Sequence, residues 1–475
     1  MNILVDQKNN FKANFGYIFR SSGIFYCPSN VKTTMSVMNY FKEKNFLEVG
    51  GIITQRKIDG ELISRENVEF KDANVLNFVF ESAAECSVEI EFFCNQNLRI
   101  PYAAVMAFYE SEHSVSIIHN YCRNHSLIEL EEKHALLNGR ETCWFVSDTN
   151  RLSNNNFVAV FHNGHSLLPS QTFKLKGTQK DQKDILIEGE MPELRPFETY
   201  KFELNKILKE SSEEIQSGAI WFRLEFESLS SFPRLLLIEA SSNGEVQVTH
   251  SDIDYESIGT NVVSGGVGYT KIPHIMREVH KPILEVDPGY PQNARIFVST
   301  DKNDKVPHGN GSYYHLDTIN SVTFTEQNQK LPSRIHTALS GFFDEASLVP
   351  FRSCLGIVHK ERPPKHTHWF PFDLKYSPTL EITAYSEIYP PISSLIEVTF
   401  KLYTPDTLNI FECVITYERL EDVPQSFPIT EIISLTGARI NIDQPHYLLM
   451  NSNYGGFFAF VSHTSSASIS IEHTF

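Results

Sequence analysis

His366-Thr367-His368 is the segment of this sequence best suited by residue type and spacing to do chemistry. On a strand, residues i and i+2 share a face, so two imidazoles spaced this way can meet one divalent cation such as zinc. Pro363-Pro364 stiffens the approach, and Trp369-Phe370 can keep water out. His359 is the nearest candidate for a third ligand, with His336 the next. Asp344 and Glu345 are the acids close enough in sequence to serve as ligand or as general base toward a metal-bound water. Histidines 274, 280, 308, 315, 336, 359, 366 and 368 crowd one stretch of a chain that holds 18 in all. The competing account is a set of packing and surface histidines that donate to carbonyls, with no cofactor at all.

Aromatic side chains supply a second chemistry. The 35 Phe and 19 Tyr gather in clusters at Tyr313-Tyr314-His315, Trp369-Phe370-Pro371-Phe372 and Tyr454-Gly455-Gly456-Phe457-Phe458. Flat rings at the rim of a β-sandwich stack on sugars, and a tyrosine adds a hydroxyl. Tyr313, Tyr314 and Trp369 are the candidate ligand-binding residues, against the alternative that Phe replaces Leu in the cores. The favoured functional class is therefore a non-enzymatic binding protein whose partner is a glycan or protein surface. The alternative is a metal-dependent enzyme built on the histidines of residues 274–368.

Other patterns carry less. Ser264-Gly265-Gly266-Val267-Gly268 lacks the lysine of a phosphate-binding loop and reads as a flexible hairpin or interdomain loop. His162-Asn163-Gly164-His165 reads as a type I′ turn. Glu89 and Glu91 alternate with Val88, Ile90 and Phe92, which sets the two acids on a wet outer sheet face.

The elements that must position these residues follow a period of two. Residues 87–92, 218–226, 294–299, 394–403, 409–417 and 468–472 alternate apolar and polar, as half-buried antiparallel strands do. Asn243-Gly244, Thr404-Pro405-Asp406 and Gly455-Gly456 punctuate them as turns. Helical spacing marks three segments, Val31–Lys44, Leu127–Leu137 and Leu204–Ile215. The expected fold is all-β, with two or three antiparallel β-sandwich domains and a few short helices. Polar or proline-rich interruptions put domain boundaries at 1–176, 177–290 and 291–475. The segment from Pro196 to His250 resembles that from Phe427 to His473 in residue type, as two copies of one module would.

Composition bounds the partners. Forty-one basic and 58 acidic side chains leave a net charge of −17 over 475 residues, which repels phosphate backbones and argues against nucleic acid. No apolar run reaches the length of a membrane-spanning helix, and residues 1–16 lack the apolar core of a secretion signal. The seven cysteines (27, 86, 94, 122, 143, 354 and 413) form no CxxC pair. The expectation is of reduced, buried thiols in a cytoplasmic protein.

Overall fold

A computed structural model describes residues 19–39, 49–70, 73–81, 83–94, 105–120, 122, 141–179, 184–211, 215–228, 234–253, 263–286, 296–301, 305–307, 312–316, 319–332, 337–360 and 362–474. The first eight strands are β1 Phe19–Cys27, β2 Lys32–Met38, β3 Gly50–Lys57, β4 Leu62–Glu69, β5 Val75–Phe80, β6 Cys86–Cys94, β7 Val105–Glu110 and β8 Val115–His119. They form two sheets, in the orders β1-β6-β3-β4 and β5-β2-β7-β8.

The next set is β9 Glu141–Val146, β10 Asn156–His162, β11 Gln171–Gln179, β12 Ile185–Met191, β13 Thr199–Glu203, β14 Ile220–Glu225, β15 Leu236–Ala240, β16 Val246–His250 and the two-residue β17 Asp252–Ile253. Its sheets run β12-β11-β14-β9-β17 and β13-β10-β15-β16. The third set is β18 Val263–Lys271, β19 His280–Val286, β20 Ile296–Thr300, β21 Lys305–Pro307, β22 Ser312–His315, β23 Ser321–Pro332, β24 Thr337–Phe342, β25 Phe351–Cys354 and β26 Val358–His359. Here the orders are β21-β20-β23-β18-β26 and β22-β19-β24-β25. The last set is β27 Thr367–Phe372, β28 Thr379–Ala384, β29 Ile396–Tyr403, β30 Phe411–Tyr417, β31 Ser426–Pro428, β32 His446–Ser452, β33 Phe457–Thr464 and β34 Ile469–His473, ordered β27-β32-β29-β30 and β31-β28-β33-β34.

Counted from one within each set, the same two orders recur, 1-6-3-4 and 5-2-7-8, so among the described residues a single eight-stranded sandwich topology occurs four times. β17 and β26 add a ninth strand beside the first of their sets, and Cys122 makes an isolated bridge to Ile24 of β1 at the same place. The all-β, antiparallel sandwich architecture expected from the alternation is what the chain adopts. The two segments that resemble each other in sequence occupy matching places. β13 leads into helix α2 (Leu204–Glu210) and β31 into helix α3 (Ile429–Thr436), while β16 and β34 are the eighth strands of their sets. The sequence boundary at 176/177 falls inside β11. That at 290/291 falls between β19 and β20 of the third sandwich, in residues outside those described.

Cores sit between the paired sheets. In the second sandwich Trp144, Phe161, Leu175, Phe222 and Leu237 share one cluster drawn from both sheets. Leu284, Phe324 and Leu339 do so in the third, and Phe370, Leu380, Phe400 and Val461 in the fourth. In the first, the Tyr109 hydroxyl on β7 donates to the Tyr26 carbonyl on β1 at 2.8 Å and ties the two sheets together. Two compact units are formed: Met1–Ser111 with Ile118–Ala240 and Val248–Thr260, and Glu112–Ile117 with Ser241–Gln247 and Asn261–Phe475.

Several local expectations are corrected. Val31–Lys44 contains strand β2 instead of a helix; from Thr33 to Met38 every residue is buried, and β5 and β7 pair it on both sides. A strand buried on both faces loses its polar alternation, so its methionines and valines fell by chance at helical spacing. Leu204–Ile215 does hold a helix, α2, whereas Leu127–Leu137 lies outside the described residues. Among the described residues, a further short α-helix is α1 (Arg151–Asn154).

The glycine-rich Ser264–Gly268 belongs to strand β18, with its register broken between Gly265 and Val267 as at a bulge. Asn163-Gly164 has no positive φ and is not a type I′ turn; the buried Asn163 amide donates to the Ser166, Leu194 and Arg195 carbonyls instead. Glu89 and Glu91 are 1% and 3% exposed, not on a wet face. Arg56 meets Glu89 at 3.0 Å and Arg65 meets Glu91 at 3.2 Å, and the Phe197 ring of the second sandwich lies 4.1 Å from the Arg56 guanidinium. Charge pairing and this aromatic cover make burial of both acids tolerable.

Among the described residues, no helix is long and apolar enough to cross a membrane. Among the described residues, Cys27, Cys86, Cys122, Cys143, Cys354 and Cys413 form no disulfide, and the first four are buried.

Candidate functional site

The Pro363-Pro364 segment and the Tyr454–Phe458 cluster, far apart in sequence, lie side by side in the second unit. Lys365 N donates to the Gly455 carbonyl at 2.8 Å and Ser452 N to the His366 carbonyl at 2.9 Å, extending the β27–β32 ladder toward the prolines. Glycine is required by this contact. A Cβ on Gly455 would stand 2.4 Å from Pro364 Cβ and 2.8 Å from His366 Cε1, and one on Gly456 would stand 2.6 Å from the Tyr454 ring.

Around the junction the aromatic groups interlock. The Tyr454 hydroxyl donates to the Tyr389 carbonyl at 2.7 Å, and the Tyr389 hydroxyl donates to the Arg362 carbonyl at 2.9 Å. Tyr385 and His368 both meet the half-buried Phe458 ring edge-on, at centroid distances of 4.8 and 6.2 Å. The Arg362 guanidinium covers that ring at 5.0 Å. From the third sandwich, Lys271 N donates to the Tyr385 hydroxyl at 2.9 Å, and Lys271 Nζ pairs with Glu387 at 3.0 Å. Arg362, Pro363, Pro364, His366 and Glu387 are exposed and Tyr389 is half-buried, so the surface is a cation-capped aromatic platform edged by prolines and an imidazole.

The titrating groups here are set for structure. Burial pushes the Tyr454 hydroxyl up to about 12 and raises Tyr385 further, so both stay protonated donors or acceptors. Burial, aided by the Lys365 charge, pulls His368 down to about 3 and keeps it neutral.

The residues singled out from the sequence are distributed as follows. His368 is 1% exposed, with Nδ1 3.0 Å from Thr474 Oγ1. His366 is exposed, and its Nδ1–H donates to the Ser452 carbonyl at 2.9 Å. His359 lies in β26 opposite Gly268 and is 8% exposed. Among the described residues, these three do not make a group with ligand atoms within 4.8 Å of one another. His336 lies outside the described residues.

Asp344 Oδ1 accepts from Ala346 N, Ser347 N and the Ser347 hydroxyl at 2.8–2.9 Å. These bonds, led by the Ser347 hydroxyl, hold its carboxyl below the usual range and commit it to closing the exposed 344–347 turn. Glu345 is exposed beside it. Trp369 is 5% exposed and packs on Tyr447, centroids 5.9 Å apart. Tyr313 and Tyr314 lie on β22, the edge strand of a third-sandwich sheet: Tyr314 packs toward the core, and the half-buried Tyr313 meets His315 edge-on at 5.6 Å. Sequence reasoning missed Arg362, Tyr385 and Tyr389; the arginine directly before Pro363-Pro364 was the available signal.

The fold and this platform define the class, a β-sandwich repeat protein with an aromatic–cationic surface. No family model matches the chain, and no curated protein matches it. Among solved structures, it aligns with one titled "Biofilm associated protein - BSP domain" over 97% of this chain and 95% of the other, at 8% identity and TM-score 0.15. It also aligns with a Salmonella alpha-2-macroglobulin mutant, Y1175G, over 95% of this chain and 29% of that one, at 7% identity and TM-score 0.11. Likenesses this slight carry no argument about fold or function.

Proposed function

We propose that this chain is a non-enzymatic binding protein of β-sandwich modules that recognises a glycan through exposed aromatic and cationic side chains. The observation that carries the reading is the Phe458 platform, where a half-buried ring lies under the guanidinium of the exposed Arg362, with the exposed His366 against Gly455 of the adjoining turn. A pyranose ring packs its C–H face against such an arginine-covered aromatic, the guanidinium donates to its hydroxyls, and the His366 imidazole accepts from one of them through Nε2. Tyr313, half-buried on an edge strand, is a second stacking surface of the same kind.

A glycan array followed by titration calorimetry tests this. Phe458→Ala and Arg362→Ala should each weaken binding about tenfold, the worth of one lost stacking or cation contact. No glycan bound by the wild type, with a protein captured instead through the same residues, transfers the function to a protein surface.

The metal-dependent reading rests on one observation. The Nδ1–H of His366 is fixed to a carbonyl, which leaves Nε2 as the lone-pair nitrogen, the arrangement that orients a zinc ligand. Elemental analysis of the wild type and of a His366→Ala/His368→Ala double variant decides it. A stoichiometric metal lost in the variant supports it, and a metal-free wild type removes it.

A further inference from the structure

Cys27 and Cys86 face each other directly across the β1–β6 antiparallel pair. Residues so opposed have Cα atoms about 4.5 or 5.5 Å apart, depending on their place in the ladder, and both values fall within the span of about 4.4–6.8 Å that a disulfide bridges. Their side chains leave the same sheet face. Both are free and buried, at 2% and 1% exposure.

Their surroundings make the two sulfurs unequal. The Gln55 amide donates to Cys86 Sγ at 3.3 Å, a contact that favours a thiolate there. The hydrogen bond from Cys27 and that from Gln55 bring the Cys86 thiol down to about 7, while burial raises Cys27. Cys86 is the first residue of its strand, and Glu81, Ala83 and Ala84 just before it are exposed, which gives a small oxidant a short approach.

We propose that Cys27 and Cys86 are a peroxide-responsive dithiol that closes to a cross-strand disulfide inside the first sandwich. The Cys86 thiolate attacks one oxygen of hydrogen peroxide, the O–O bond breaks, and hydroxide leaves to take up the proton that Cys86 gave up. Cys27 sulfur then attacks the Cys86 sulfenic acid, forming the S–S bond; the sulfenic oxygen leaves with the Cys27 proton as water. Two thiols lose two electrons in all, and one peroxide becomes two waters. The bond links strands already paired, so the fold is preserved and the sandwich stiffened.

The test treats the intact reduced protein with hydrogen peroxide under native conditions, quenches it with a maleimide in denaturant, and maps the peptides by mass spectrometry. The expected result is loss of two alkylatable thiols and a linked Cys27–Cys86 peptide pair, reversed by dithiothreitol. Oxidation should also raise the melting temperature by about 5 °C. Cys86→Ser should abolish the link, and Cys27→Ser should leave a sulfenic acid on Cys86 that dimedone traps. Wild-type thiols that stay alkylatable, that pass to sulfinic acid, or that pair with other cysteines overturn the proposal. The wild-type map alone is decisive if either variant fails to fold.

Discussion

Single residues in this molecule are held mainly by burial. His162, His368 and His463 are pulled down to about 3 by desolvation, and His446 is lowered by the same cause. Each is neutral in the folded chain at neutral pH, whereas the unfolded chain protonates them near their ordinary value of about 6.5. The unfolded state therefore binds more protons between about pH 6.5 and 3, so stability is full above that window and falls as pH drops through it. The upper limit is about 1.4 kcal/mol per pH unit per histidine. Urea midpoints measured from pH 7.5 to 5.5 should decline, most for the fourth sandwich, which holds three of the four; a flat or rising midpoint contradicts the assignment. The Arg56–Glu89 pair offers a second prediction. Glu89→Ala strands a buried guanidinium and should cost about 3–5 kcal/mol, whereas replacing both partners with Met and Leu should cost far less. Chemical denaturation of the two variants distinguishes the pair's net worth from the penalty of breaking it. Neither the lowered histidines nor the buried acids could be read from the sequence, because alternation marks which residues share a face but not what covers that face.

At the scale of elements, strands whose residue types alternate were legible, even where both faces are covered as in β6, and strands without that alternation were not. Residues 87–92 and 396–403 alternate visibly and are strands, while β2 is buried on both faces and imitates a helix. The Gly455-Gly456 turn was visible as a turn, yet its closeness to Pro364 and His366 was not, since the contact joins segments about ninety residues apart. That contact yields a prediction: Gly455→Ala must displace the Pro363-Pro364 segment and with it Arg362. Glycan affinity should then fall by about tenfold or more even though no platform side chain is altered. A matched titration of Gly455→Ala against Phe458→Ala checks this, and unchanged affinity would mean that the prolines do not position the guanidinium.

For the whole molecule, the governing fact is one strand order used four times. Four sandwiches need not all melt together, even with Phe460, Ile469 and Ile471 of the fourth packed into the core cluster of the third, so thermal unfolding should depart from two-state behaviour, with a calorimetric enthalpy larger than the van 't Hoff value. Equality of the two would show a single cooperative block. The net charge of −17 belongs to this scale as well, keeping the surface averse to polyanions whatever the binding site recognises.

The amino-acid sequence alone determined the all-β class, the antiparallel character, most turn positions and one trace of the repeat. Each of these follows from local side-chain periodicity and turn chemistry, which act over a few residues. Tertiary structure decided the count of modules, the burial of Glu89, His368 and Trp369, and the meeting of Arg362 with Phe458 and of Cys27 with Cys86. Those depend on which strands pair and which faces are covered, and such choices are fixed by the total burial of the packed sheets, not by any one stretch of chain.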